Sequence, residues 1–499
     1  MTRKFKTVDY EAALDQAVSL REALPATHLA RFVVDVVAEL DLGRIYARYG
    51  LRGGEAYAPE VLLALLFYGY ATGVFSSRKI EKATYETVPF RFVAGGLHPD
   101  HDTLANFRKT FRAEIKDLFV QVLLLAQAAG YLQLGNISID GSKVHANASK
   151  SQAVSYQRLQ ELEVQLRAEV DQLFMLAEQA DQQPVPAGMN VADEIALRQD
   201  RLARLAEAKK VLQARAQERQ AAEQAKYEAK QRAREEKAKR SGRKPPGRPP
   251  TPPSAEPRDK DQYNFTDPES RIMKSSSSAG FEQAYNVQVA VDQDSLFIVA
   301  CALSNHPNDK AEAGPTLATL PPELGTPAAA ALDNGFFSEP NLAALEQRHI
   351  DAYIATGREP HHKSWQERFA AEPEPPAENA SPQVKMAYKL RTQIGQAIYR
   401  LRKCTVEPVI GIIKAVLGFR QFSLRGLDPA SCEWDLVCLA FNLKRLSIRC
   451  LWPKRAQRTA GTAQRALALH LQTAIGHTDD HKSERIGVGS HLTSSHLLT

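Results

Sequence analysis

Residues 157–261 interrupt two strand-patterned stretches with a segment of a different kind, and that interruption limits the fold more than any other feature. Before it, "ISIDGSKVHA" from residue 137 alternates apolar and polar residues and is rich in Ile and Val, the pattern of a strand. After it, "AYNVQVAV" and "LFIVACAL" read as a strand pair joined by Asp292-Gln293-Asp294-Ser295, a hairpin-turn composition. Within it, Leu159, Leu162, Leu166, Leu173 and Leu176 keep heptad spacing, and Ile195, Leu202, Leu205 and Leu212 repeat it. The stretch between the two arms, "DQQPVPAGMN", carries two prolines and a glycine, so the arms are expected to fold back as a helical hairpin. Any sheet in this chain is therefore built from strands on either side of that hairpin.

Charge is placed unevenly. The whole chain carries only +6, yet from Lys230 to Arg248 nine Lys or Arg stand against Glu235 and Glu236, and "GRKPPGRPPTPP" closes the segment as a proline-rich linker. Two readings remain open for this arm, contact with nucleic-acid phosphates and a solvated or disordered run. At 499 residues the chain is long for one compact core, and two to four modules are expected. Cys301, Cys404, Cys432, Cys438 and Cys450 show no paired spacing for zinc or disulfides, which fits a reduced, cytoplasmic compartment. "MTRKFKTVDYEAALDQ" lacks the apolar run of a secretory signal. "VLLALLFYGYATGVFSS" (61–77) is short for a membrane span and reads as a buried helix.

Residues 1–130 are mostly helix-patterned. Asp102 or Thr103 is placed to cap a helix running to Gly130. In 76–92, Arg78, Lys79, Lys82 and Arg91 mix with aromatics, a composition that suits phosphate contact and equally suits a solvated helix face.

Beyond the paired strands, the order is helix-like "DKAEAGPTLATL", a strand in "AAALDNGFFS" ending at Asp333, helix "SEPNLAALEQRHI", and strand "DAYIAT". A long helix, "IYRLRKCTVEPVIGIIKAVLG", then carries Glu407. This order predicts an α/β fold, a mixed sheet with flanking helices. Asp140 and Asp333 at strand ends and Glu407 on a later helix can converge beside such a sheet, where three ionised carboxylates need a compensating cation. Hard divalent ions with oxygen ligands are the natural partner. The competing reading of Glu407 is a plain i to i+4 pair with Lys403. Tyr399, Arg402 or Lys403, Glu407 and Lys414 are spaced to lie near one helical face.

With these motifs in order, the chain resembles the DDE transposases of bacterial insertion sequences, in the group whose last acidic residue sits in a Tyr, Arg, Glu, Lys signature. The resemblance spans about residues 40–450. It rests on "YAPEVLLALLFYGYATGVFSSRKIEKA" with "HDTLANFRKTF", on "SIDGSKVHANAS", on "DPESRIMK" with "AYNVQVAVD", on "ALDNGFFS", on "YRLRKCTVEPVIGIIK" and on "FRQFSLRGLDPASCEWDLVCLAFNLKRL". The resemblance implies an RNase H-like catalytic domain at 131–156 and 262–450. It also implies an N-terminal all-helical domain at 1–130 for DNA binding or dimerisation, with the hairpin insertion at 157–261 and a disordered tail at 451–499. Asp140, Asp333 and Glu407 are implied as catalytic ligands of two Mg2+ or Mn2+ ions, and Tyr399, Arg402 and Lys414 as contacts to DNA phosphates. The group's spacing places three residues between the cation and the glutamate, which Lys403 satisfies and Arg402 does not.

The implied enzyme binds double-stranded DNA at the element's terminal inverted repeats, cleaves there, and joins the freed 3′-hydroxyls to target DNA as a dimer or larger assembly. A metal-dependent nuclease without strand transfer and a catalytically inactive DNA-binding relative are the alternatives. A coiled-coil scaffold would account for the heptads but not for the strand-borne aspartates. His361, His362, His470, His477 and His481 read as surface histidines, and Asp292, Asp294 and Asp309 as turn or capping residues. No membrane association is expected.

Overall fold

The structure, a computed structural model, describes residues 19–50, 55–179, 186, 188–243, 247–274, 280–357 and 374–451. The expectations for the N-terminal leader, for the histidines at 361, 362, 470, 477 and 481, and for the tail beyond 451 lie outside the described residues.

The N-terminal region is helical: α1 (Leu29–Ala38), α2 (Pro59–Ala71), α3 (Ser77–Glu86), α4 (His101–Thr110) and α5 (Arg112–Ala128). Pro59 opens α2, where its missing N–H would have no helical partner anyway. Residues Leu62–Ala71 are buried without a polar stripe, as an apolar helix inside a core must be. No helix among the described residues is long and apolar enough to cross a membrane. The single helix expected from Asp102 to Gly130 is two. Asp100 is its cap, accepting from the Thr103 N–H at 2.8 Å, and Phe111 leaves helical dihedrals to stack on Tyr49 and pack against Phe107. Lys82 pairs with Glu86 along α3, while Arg78, Lys79 and Arg91 are exposed.

Among the described residues six strands form one mixed sheet. In the order β8 (Asp351–Ile354), β7 (Ala329–Leu332), β1 (Ile137–His145) and β5 (Phe281–Asp292), the first three run parallel and β5 runs against β1. β4 (Arg271–Lys274) and β6 (Ile298–Ser304) follow one another along the far edge of β5, both antiparallel to it. β5 is buried from Gln283 to Asp292, because helices and neighbouring strands cover both of its faces.

The hairpin forms as the heptads predict. α6 (Tyr156–Gln179) and α7 (Val191–Ser241) bury Leu159 and Leu166 against Leu205 and Leu212, with Leu162 and Leu202 at the margin, and Leu173 is also buried. Arg198–Glu169 and Lys209–Glu163 pair across it at 2.7 and 2.5 Å. Its base is clasped by a two-stranded antiparallel ladder, β2 (Ala153–Ser155) with β3 (Gln262–Asn264), which returns the chain to the sheet. Beyond Ala216 no described residue of α7 is buried, and the Pro-rich segment runs back along it, with Arg234 donating to the Gly247 carbonyl at 2.7 Å.

Two helices close the molecule, α9 (Gln393–Gly411) on the sheet, after α8 (Glu339–Glu346), and α10 (Leu427–Leu451). The N-terminal helices, the sheet and α10 share one hydrophobic core. A buried polar network crosses it. Tyr70 and Arg108 hydrogen-bond, Tyr70 donates to Glu433 at 3.2 Å, and Arg108 stands 3.8 Å from the same carboxylate.

Candidate functional site

β1 and β7 stay in parallel register as far as Ile139 opposite Leu332. The next residue on each is an aspartate, so Asp140 and Asp333 stand at the same level; β7 ends there, but β1 does not end at Asp140 as expected and continues against β5 to His145. Asp333 also caps the turn that follows, accepting from the Gly335 N–H at 2.9 Å. α9 docks beside them through Thr405, whose Oγ1 lies 2.8 Å from Ser138 Oγ, two residues before Asp140. From this helix Arg402, only 8% exposed, reaches Asp140 Oδ2 with Nη1 at 3.1 Å and Glu407 Oε1 with Nη2 at 3.0 Å. The structure thus brings Asp140 and Glu407 onto one guanidinium and Asp333 beside Asp140.

The three carboxylates behave as one electrostatic unit. Burial pushes the Asp140 carboxyl up to about 7, Arg402 pulls it back, and the charges of Asp333 and Glu407 push it further up. Asp333 is raised by burial, opposed by Arg402 and reinforced by the charge of Asp309. For Arg402 burial works against the charged form, and the surrounding groups, Asp140 foremost, outweigh it and raise its pKa. The guanidinium offsets the burial and mutual repulsion of these acids only in part.

One expectation changes here. The i to i+4 pairing of Lys403 with Glu407 does not form: Lys403 is exposed, and Glu407 pairs with Arg402 instead. Tyr399, whose ring centre is 6.0 Å from the Arg402 guanidinium carbon, lines a groove on α9 together with Arg400 and Lys403. Lys414 follows a change of helix type. The helix contains Pro408, which has no N–H to donate, and continues after Gly411 as a π-helical turn, Ile412–Val416, that resets the phase. Lys414 there donates to Ser142 Oγ at 2.6 Å and to the Lys143 carbonyl at 2.7 Å, bracing the strand just past Asp140.

A fourth carboxylate, Asp309, belongs to the same neighbourhood, although the sequence suggests only a turn residue. Its Oδ1 accepts from Asn286 Nδ2 at 2.7 Å and Gln288 Nε2 at 2.6 Å, and Lys143 stands 3.8 Å away. The signal that points to it is Asn286 and Gln288, two amides inside an apolar strand, both fully buried.

No three His, Cys, Asp or Glu among the described residues stand close enough to hold a metal ion as they are. The donor set nevertheless fits a hard divalent ion: it is all carboxylate oxygen, and two of its members already share a cation supplied by the chain.

Comparison with protein families matches residues 18–110 to a transposase domain (DUF772) and residues 253–443 to a transposase DDE domain. The second match includes Asp309, Asp333, Arg402 and Glu407, and Asp140 precedes it. Comparison with curated proteins and with solved structures found no match.

Proposed function

We propose that this chain, whose two matched segments support a DDE transposase family and a transposase function, acts on the ends of an insertion sequence. It binds the terminal inverted repeats, cleaves the DNA there, and joins the 3′-hydroxyls to target DNA. The observation that carries the reading is the meeting of Asp140 and Asp333, level on adjacent parallel strands, with Glu407 tied to Asp140 through Arg402. The sheet supports an RNase H-like reading, since an antiparallel β5 flanks the central β1 while β1, β7 and β8 run parallel.

Asp140, Asp333 and Glu407 would hold the metal. Divalent magnesium or manganese held there would supply activation of a water or a 3′-hydroxyl and charge stabilisation for the leaving oxygen of a phosphoryl transfer. Arg402 offsets part of the charge of the acids, and on releasing a carboxylate it presents a planar donor fork to a backbone phosphate. Tyr399 and Lys403, on the groove of α9, continue that contact along the DNA. Lys414, through Ser142 and the Lys143 carbonyl, fixes the end of the strand that carries Asp140.

The domain division that accompanies this reading is an N-terminal helical DNA-binding or dimerisation region, a catalytic domain split by the hairpin insertion, and a basic arm on α7 for DNA backbone. Handling two element ends together calls for a dimer or larger assembly. The test is cleavage of DNA carrying the inverted repeats that flank its own coding sequence, by wild type, Asp333→Asn and Glu407→Gln, in magnesium and in EDTA. Metal-dependent cutting by wild type and none by the variants, with end binding retained, supports the reading. Cutting by either variant at the wild-type rate refutes it.

A further inference from the structure

Asp309 is held by a more expensive arrangement than a turn residue needs. Asn286 and Gln288 are fully buried on β5 and aim their amide nitrogens at the same oxygen, Asp309 Oδ1. Their carbonyl oxygens, Asn286 Oδ1 and Gln288 Oε1, are buried without a hydrogen-bond partner. A buried unsatisfied acceptor costs on the order of 1–3 kcal/mol, so two of them mark a position held for a reason other than stability.

The backbone makes room for the same carboxylate. A Cβ on Gly141 would stand 2.4 Å from Gln288 Nε2 and 2.8 Å from Asp309 Oδ1, so the residue after Asp140 has to be glycine for Asp309 to approach β1. On the other side, the point where a Cβ on Gly335 would lie is 3.1 Å from Asp333 Oδ1 and 3.6 Å from Asp309 Oδ2. The two carboxylates therefore flank one small space at the end of β7. Asp309 Oδ1 is committed to the amides, and Oδ2 is the oxygen turned toward Asp333.

We propose that Asp309 is a positioning residue of the cleavage centre, fixed by Asn286 and Gln288 so that its negative charge beside Asp333 strengthens the hold of that side of the centre on a divalent cation. This rests on the transposase reading above. Like charges held this close bind a common cation more tightly than either alone. Lys143, 3.8 Å from Oδ1, offsets part of the extra charge.

The experiment is Mn2+ binding to the full chain without DNA, followed by electron paramagnetic resonance, for wild type, Asp309→Asn and Asp333→Asn. Asparagine keeps an oxygen for both amides and removes only the charge. Weakening of Mn2+ binding by about tenfold or more in Asp309→Asn, with thermal stability and end binding unchanged, is the expected result, together with a higher magnesium requirement for cleavage. Should Asp309→Asn fail to fold, Gln288→Met, which removes one of the two amide bonds that hold Oδ1 while filling a similar volume, is expected to weaken binding in the same direction. Wild-type Mn2+ affinity in Asp309→Asn, or in its substitute, alongside a loss in Asp333→Asn overturns the role of Asp309 and leaves the triad standing. Unchanged affinity in Asp333→Asn as well overturns the transposase site itself.

Discussion

Asp140→Asn is expected to make the protein more stable at pH 8 while removing its activity. The Asp140 carboxyl is pushed up to about 7 from an ordinary value of 3.8, with burial the largest cause and the charges of Asp333 and Glu407 adding to it against the pull of Arg402. A raised carboxyl contributes its full stability below the unfolded pKa and loses it as the pH rises through the folded one. Ionising this group in the folded protein therefore opposes folding by ~4 kcal/mol once both forms are fully charged. Asparagine mimics the protonated acid at every pH. The variant should exceed wild type by about 1–2 kcal/mol at pH 5 and by about 4 kcal/mol at pH 8, a widening of roughly 2–3 kcal/mol. Urea denaturation of both proteins at the two pH values, in EDTA so that no divalent ion offsets the repulsion, measures this directly. A variant less stable than wild type at pH 8, or a difference that does not grow with pH, would refute the electrostatic account of the site.

Arg108→Met should destabilise the protein by about 3–5 kcal/mol, because it leaves Glu433, fully buried, without its cation at the junction of the N-terminal helices and α10; thermal denaturation reads the loss. Gly141→Ala should cost about 1–3 kcal/mol and reduce cleavage, since the new methyl group displaces Gln288 and Asp309, as denaturation and DNA-cutting assays on one preparation would show.

The strand-borne aspartates were legible from the β-patterned runs that lead into "DG" and "DNG", although only Asp333 ends its strand, Asp140 being paired with Val289 in a β1 that continues to His145. Their pairing was not: that β1 and β7 are neighbours, in register to Ile139 and Leu332, depends on contacts across nearly two hundred residues that no local pattern carries. The heptads of α6 and α7 foretold the hairpin because an apolar residue every three or four positions gives each helix one face to bury against the other. Arg402 won over the better-spaced Lys403 because burial against two carboxylates, not spacing along the helix, decides which cation stays. The bonds of Lys414 to Ser142 and the Lys143 carbonyl were not legible, because the π-turn that carries it leaves no periodic trace. Asp309 sits in a polar loop without periodicity, and the alternation of Asn286 and Gln288 with apolar residues along β5 does not disclose that both are buried.

The central claim is that Asp140, Asp333 and Glu407 work as one centre for both chemical steps. The most direct measurement supplies pre-cut element ends bearing a free 3′-hydroxyl and scores their joining to target DNA in magnesium by wild type and Glu407→Gln. Joining by wild type, and none by a variant that binds the ends equally well, is the predicted result. Wild type that cuts element ends but never joins them, or Glu407→Gln that joins as well as wild type, would contradict it.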